Sequence, residues 1–232
     1  MNILELVRMT IETVPEVKKY LSPAVRFKLF DPLPYKTLEY FRKQIQRLVT
    51  SLYNNRIGGQ FIDIMANLIS GQLLDAYEAA WKDEGFTGKI PDYLQTAHTE
   101  DVLAQYTFVD QFFRDIIDAR IDGTGIGSIM YRVDLWANQW TNSYNRAIVL
   151  ITQKRGGKLQ WQEGDTKEKC STCVALDGIV LYADEWQTLN VHPGDGPNPH
   201  LVCGGWNCGC SLIPTDQRRT ADGYGKVEEI IL

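Results

Sequence analysis

The chain has 232 residues, 44% of them hydrophobic and 23% charged, with a formal charge of −5, which is enough material to bury one large core or two small ones. Those proportions exclude a disulfide-stapled mini-protein, a disordered or collagen-like chain and a low-complexity architecture. Charge is unevenly spread: residues 1–60 carry ten Lys/Arg against five Asp/Glu, residues 61–145 five against thirteen, and residues 146–232 nine against eleven, a pattern that solvated faces or an electrostatic contact to DNA or an acidic partner would produce.

Residues 1–10 place Glu5 ahead of Arg8 and lack a basic region followed by an apolar block, so no secretory signal is expected and a reducing, cytoplasmic compartment is the default. Helical periodicity begins over residues 34–53, where Leu38, Phe41, Ile45, Leu48 and Leu52 share one face while Lys36, Lys43 and Arg47 project from the opposite one. Pro34 suits the first turn. A second stripe, Ile62, Met65, Ile69, Leu73 and Tyr77, runs out near Trp81; Gln60, Asp63, Asn67, Gln72 and Asp75 interrupt this most apolar stretch and exclude a membrane span. Past Pro91, Thr99 or His98 is placed to cap a third helix carrying Val102, Tyr106, Val109, Phe113 and Ile116 or Ile117, broken by Asp122-Gly123-Thr124-Gly125. Ile129, Val133, Trp136, Trp140 and Tyr144 mark a fourth, so an antiparallel helical hairpin is expected across the glycine turn, with these aromatics in the core.

Near Ile148 the pattern changes. Residues 148–153 are β-prone, residues 154–157 form a turn and residues 158–162 alternate with period two, which describes a β-hairpin; a fourth helix running on to Arg155 is the competing reading. From Cys170 onward the chain holds eight glycines, four prolines and all five cysteines, so regular structure is sparse, Asp177-Gly178 is a turn before Ile179-Val180-Leu181, and the tail after Ile213 is expected to be loosely held. The prediction is an α+β, mainly α fold. It has an N-terminal helical region over 1–90, a helical hairpin over 91–147, and a small zinc-stapled β-hairpin and cysteine-rich loop module over 148–232.

All five cysteines fall within 41 residues, as Cys170-x-x-Cys173 and Cys203…Cys208-x-Cys210, with His200 just upstream. A Cys-x-x-Cys turn lets two thiolates converge on one ion, and a second pair completes the tetrahedron of a closed zinc site. That second pair is open: His200-x-x-Cys203 has chelate spacing, and Cys208-x-Cys210 brings two thiolates from one tight bend, so four ligands come from Cys170, Cys173, His200, Cys203, Cys208 and Cys210. An odd cysteine count without a signal peptide argues against a disulfide framework. The plainer alternatives are disulfides in an exported particle, or reduced cysteines packed as small hydrophobes. Trp161, Leu176, Val180, Leu181, Trp186 and Trp206 are too few apolar groups for an independent core, so an ion would supply folding free energy on the order of 10 kcal/mol, with Trp206 covering the site.

Catalytic signals are weak. His98-Thr99-Glu100 followed by a Cys-x-x-Cys has the skeleton of zinc nucleotide deaminases, but the halves lie about 70 residues apart and Lys169 stands where that signature has Pro. The glycines of 123–127 lack the Lys-Ser/Thr of a phosphate loop, and no Ser-His-Asp arrangement can be assembled. No catalytic residue is assigned.

Taken together, Leu159-x-Trp161, Gly164-Asp165, Cys170-x-x-Cys173, Leu176-Asp177-Gly178 and Pro199-His200-x-x-Cys203 with Cys208-x-Cys210 resemble the C-terminal module of the Mu F-like phage minor head, or head morphogenesis, proteins, over residues 121–214. Three departures stand out. Pro199 precedes His200 instead of following it, Gly209 replaces the usual Arg, and residues 204–207 lengthen the final gap, so the resemblance leaves the ligand set open. It implies a virion component without enzymatic activity, present in few copies inside the capsid or at the portal and in the host cytoplasm during assembly. Its implied partners are the portal protein, the capsid interior and packaged DNA. Lys36, Lys43 and Arg47 would then meet phosphate without sequence readout, or an acidic patch on the portal. The competing function is a zinc-dependent nucleic-acid-binding module, and a zinc deaminase or hydrolase stands third.

Overall fold

The computed structural model describes residues 38–164, 170–194, 198–205 and 209–231, all within one compact unit spanning Lys36–Leu232. Four long helices come first: α1 (Leu38–Tyr53), α2 (Gln60–Asp83), α3 (Asp92–Ile121) and α4 (Gly127–Lys154). Each forms where apolar residues recur every three or four positions. Along α1 the buried stripe is Phe41, Ile45, Leu48, Val49 and Leu52, and along α2 it is Phe61, Met65, Ile69, Leu73, Ala76, Tyr77 and Ala80. Helix α3 starts earlier than Thr99: Pro91, extended at φ −71° and ψ 164°, precedes its first turn, and Asp92 supplies the acidic residue that suits a helix N-terminus. Thr99 lies inside the helix, where its hydroxyl donates to Gln95 O at 2.9 Å. Gly123, at φ +69°, supplies the left-handed residue that ends α3. α3 and α4 then run antiparallel, as the pairs Arg132–Asp115 and Arg146–Glu100 require.

The expected strand over 148–153 is helix. α4 continues to Lys154, burying Ile148, Val149, Ile151 and Thr152. Gly156 at φ +64° ends it: Gly156 N donates to Gln153 O at 3.0 Å and Gly157 N to Thr152 O at 2.9 Å, the paired bonds of a Schellman cap. The two glycines therefore close a helix instead of turning a hairpin. β-branched residues tolerate the helix because tertiary burial outweighs a propensity difference of about 0.5 kcal/mol per residue.

The remaining elements are short: β1 (Lys158–Gln162), α5 (Ser171–Leu176), β2 (Val180–Tyr182), α6 (Ala183–Leu189), β3 (Ser211–Thr215) and α7 (Gly223–Ile231). The strands form one antiparallel sheet in the order β2-β1-β3, with Leu159 opposite Leu181 and Trp161 opposite Leu212. Alternation turns Leu159 and Trp161 inward. Far from being loose, the tail after Ile213 completes this layer. Thr220 exchanges two bonds of 2.9 Å with Val180, one by its N–H and one through its side-chain oxygen, and Val227 on α7 is fully buried.

Buried side chains divide into two cores. The first joins α1 to the facing halves of α2, α3 and α4, from Phe61 and Met65 through Phe112 and Ile116 to Val133 and Trp136. The second joins the far ends of α2, α3 and α4 to the sheet, and includes Tyr77, Leu94, Ile148, Ile151, Leu159, Trp161, Trp186 and Leu212. Between them runs a polar belt. Gln72 Nε2 donates to Trp136 O at 3.1 Å and Ala137 O at 2.6 Å, and Trp140 Nε1 donates to Asp75 at 3.1 Å. Asp101 accepts from Tyr77 at 2.9 Å, from Ser143 at 2.7 Å and from Arg146. Beside these acceptors, desolvation and the Asp101 charge push the Tyr77 phenol far above its usual range, so it stays a donor.

Candidate functional site

Cys170 and Cys173 bracket the start of α5. Cys170 is extended, at φ −69° and ψ 130°, while its carbonyl accepts the first helical bond from Val174 N at 3.0 Å; Cys173, one turn on, is buried. A helix start of this kind points the flanking side chains of a Cys-x-x-Cys to one side. Cys203 arrives on a separate turn closed by Gly204 N donating to Leu201 O at 2.7 Å, with Gly204 and Gly205 at φ +63° and +78°. Two polar side chains fix that turn. Asn198, buried, donates to Asn190 O at 3.1 Å and accepts from His200 N at 3.0 Å. Thr172, between the first two cysteines, accepts from Val202 N at 3.2 Å and so ties the two segments together.

The outcome is a group of three sulfurs, those of Cys170, Cys173 and Cys203, all within 4.8 Å of one another. Tetrahedral zinc–sulfur bonds of about 2.3 Å place neighbouring sulfurs about 3.8 Å apart, so the group can close on an ion with small shifts. Its electrostatics suit one. Partial burial pushes the Cys170 thiol up, but the backbone N–H groups and thiols of Cys173 and Cys203 converge on its sulfur and bring it down from 9.0 to about 7. All four described cysteines, Cys210 included, are thiols and not disulfides. The donor set therefore fits a soft or borderline metal ion.

The other candidate residues lie as follows. His200 sits half-buried in the turn before Cys203 and is not in the three-sulfur group; Cys210, buried just ahead of β3, is not in it either. Cys208, Trp206 and Lys36 lie outside the described residues. Lys43 and Arg47 occupy the exposed face of α1, but Lys43 is paired with Glu39 at 3.3 Å, and Arg42 pairs with Glu39 at 2.8 Å and Asp134 at 2.6 Å, so that face is a mixture of charges. His98 and Glu100 are engaged within the helices. His98 Nε2 is 3.0 Å from Ser70 O, its ring meets the Tyr77 ring edge-on, and Glu100 pairs with Arg146 at 2.6 Å. Neither belongs to the sulfur group.

Sequence reasoning passed over Thr172 and Asn198. Asn198 had a signal, since Asn-Pro marks a turn whose side chain bonds the backbone two residues on; Thr172 had none, because its partner is 30 residues away. No described helix is long and apolar enough to cross a membrane. No family model, curated protein or solved structure matches the chain.

Proposed function

We propose that this chain is a phage minor head protein acting in head morphogenesis, with the cysteine group holding a structural zinc ion. One observation carries the reading. Cys170, Cys173 and Cys203 come from two segments of a small sheet-bearing region, in the order and against the Leu159-x-Trp161 strand that the minor head resemblance quotes, and their sulfurs lie within 4.8 Å of one another. Once a fourth protein ligand closes the tetrahedron, such a cysteine site is a staple and not a reaction centre. Zinc bound there contributes folding free energy and orders the loops between its ligands.

In this role the long helices form a platform that the zinc region holds rigid against the portal or the capsid interior, in several copies around the vertex. The exposed residues Lys43 and Arg47, with Lys36, supply a salt-sensitive contact to packaged DNA or to an acidic patch of the portal. The protein is made in the host cytoplasm and retained in the virion.

The test is assembly of heads in cells that make the chain together with portal and major capsid proteins of the same phage, followed by quantitative mass spectrometry of purified particles. A fixed, low copy number per particle is expected, lost when the portal is omitted. Particles that assemble normally and contain none of the chain overturn the proposal. Charge reversal at Lys36, Lys43 and Arg47 should abolish low-salt DNA retention; undiminished retention removes that contact from it.

A further inference from the structure

The three grouped thiols do not stand alike. Cys173 is 2% exposed and belongs to the second core with Trp161, Leu176 and Leu212, whereas Cys170 and Cys203 are only partly buried and pack against that core. Their backbones differ as well. Cys173 lies inside α5, while Cys170 is extended and one residue ahead of it, and Cys203 sits on a turn that runs into Gly204 and Gly205 at positive φ. The two partly buried cysteines are therefore at the ends of elements, where a sulfur can shift without unwinding a helix.

These two also meet across the junction of separate segments. The Cys170 sulfur receives hydrogen bonds from the backbone N–H and the thiol of Cys203, and Val202 N, donating to Thr172 Oγ1 at 3.2 Å, holds the segments side by side. All three sulfurs lie within 4.8 Å of one another. A disulfide bond is about 2.0 Å long, so a closure of less than about 3 Å would join any pair. Drawing the Cys173 sulfur into that bond takes a packed group out of the core and leaves a void behind it. Joining Cys170 to Cys203 does not.

We propose that hydrogen peroxide oxidises Cys170 and Cys203 to a disulfide while Cys173 stays a thiol in the core, giving the cysteine centre a second, covalent way to hold its two segments together. One thiol of the pair takes an oxygen atom from the peroxide, becoming S–OH and releasing water; the other sulfur displaces the hydroxyl, forming the S–S bond and a second water. Two cysteines are oxidised, one peroxide is reduced, and the two thiol protons end in the waters. From the metal-loaded centre, solvent supplies those two protons and the ion leaves, because Cys173 is then the one sulfur of the group still able to hold it. The bond needs only the thiols, but its regulatory meaning, exchange of an ion for a covalent link, rests on the zinc reading above. A chain made in a reducing cytoplasm and carried out in a particle passes between the two conditions that favour each form.

The test treats the metal-free full chain with equimolar hydrogen peroxide, alkylates it and maps its cysteine peptides by mass spectrometry without reduction. Two of the five thiols should be lost per monomer, recovered in a Cys170–Cys203 linked peptide and restored by dithiothreitol. Cys170→Ser and Cys203→Ser should each abolish the linked peptide, and Cys173→Ser should keep it; if Cys173→Ser does not fold, the wild-type map decides. A link that contains Cys173, a link between any other pair, or five thiols left intact overturns the proposal. In the zinc-loaded chain one zinc should be released to a chromophoric chelator per disulfide formed, and zinc retained beside the disulfide overturns the exchange. Cobalt(II) titration, read by its sulfur-to-cobalt absorption, separates the two readings: a chain that binds no cobalt overturns the zinc reading, while the peptide map of the same chain still decides the disulfide.

Discussion

Every side chain buried in the first core comes from a helix of 16 to 30 residues, whereas the second adds to the far ends of those helices segments of three to nine residues. In the first, a repeating three-and-four pattern both makes the helix and faces it inward, so local sequence and tertiary packing agree. In the second, no strand or short helix has enough apolar surface to hold itself. It is organised by cross-connections: Trp186 Nε1 donating to Leu159 O at 3.1 Å, Thr220 on β2, Thr172 on the Cys203 turn, and the sulfur group. Length substitutes for cross-linking in one core, and cross-linking for length in the other.

Four experiments break or sharpen that contrast. Chelation of the zinc-loaded chain should have the largest effect, removing stabilisation on the order of 10 kcal/mol. Hydrogen exchange should then show lost protection in β1, α5 and β2 while the α2 and α3 amides around Phe61 and Phe112 keep theirs; equal loss in both cores would dissolve the distinction. Next comes Phe61→Ala, which empties a fully buried site between Phe112 and Phe113, with ring centroids 6.1 and 5.9 Å away. It should cost about 3–5 kcal/mol in denaturant unfolding and leave cobalt affinity unchanged. Trp186→Phe removes the donor to Leu159 O and some volume, for about 1–3 kcal/mol, and unlike Phe61→Ala it should weaken cobalt binding.

The smallest effect is expected at Arg219 and Glu185. The Arg219 guanidinium, helped by the Tyr182 N–H, holds the Glu185 carboxyl below its ordinary 4.5 against partial burial. A carboxylate stabilised by folding contributes fully above the unfolded value and loses that contribution as pH falls through the lower folded one. Arg219→Gln should therefore lower Tm at pH 7, and the gap to wild type should close as pH drops below 4.5. A pH-independent gap would mean that Arg219 acts through its packing on the Thr220 segment alone.

What was legible in the sequence follows the same division. The four long helices and the mainly α, α+β class were readable because periodicity over 16 or more residues leaves little ambiguity. Residues 148–153 misled because a run of Ile, Val, Leu and Thr has no preference strong enough to beat burial, and because Gly156-Gly157 serves a helix cap as well as a hairpin turn. Thr99 misled because any Thr ahead of an apolar stripe resembles a cap, while Pro91-Asp92 was the stronger start. Cysteine spacing announced a cluster and named its first pair. Joining Cys203 to that pair depended on Thr172, whose partner is 30 residues away, and on the turn that Asn198 fixes.

One more consequence belongs to α4. Its 28 residues, at about 1.5 Å each, make a rod of about 42 Å, with the Gly123–Gly125 turn at one end and the sheet capped onto the other. No loop interrupts it. A push delivered at the turn therefore reaches the cysteine end as translation or tilt of a stiff lever, and the second core feels the load at once, whereas a hinge at residue 147 would have absorbed it.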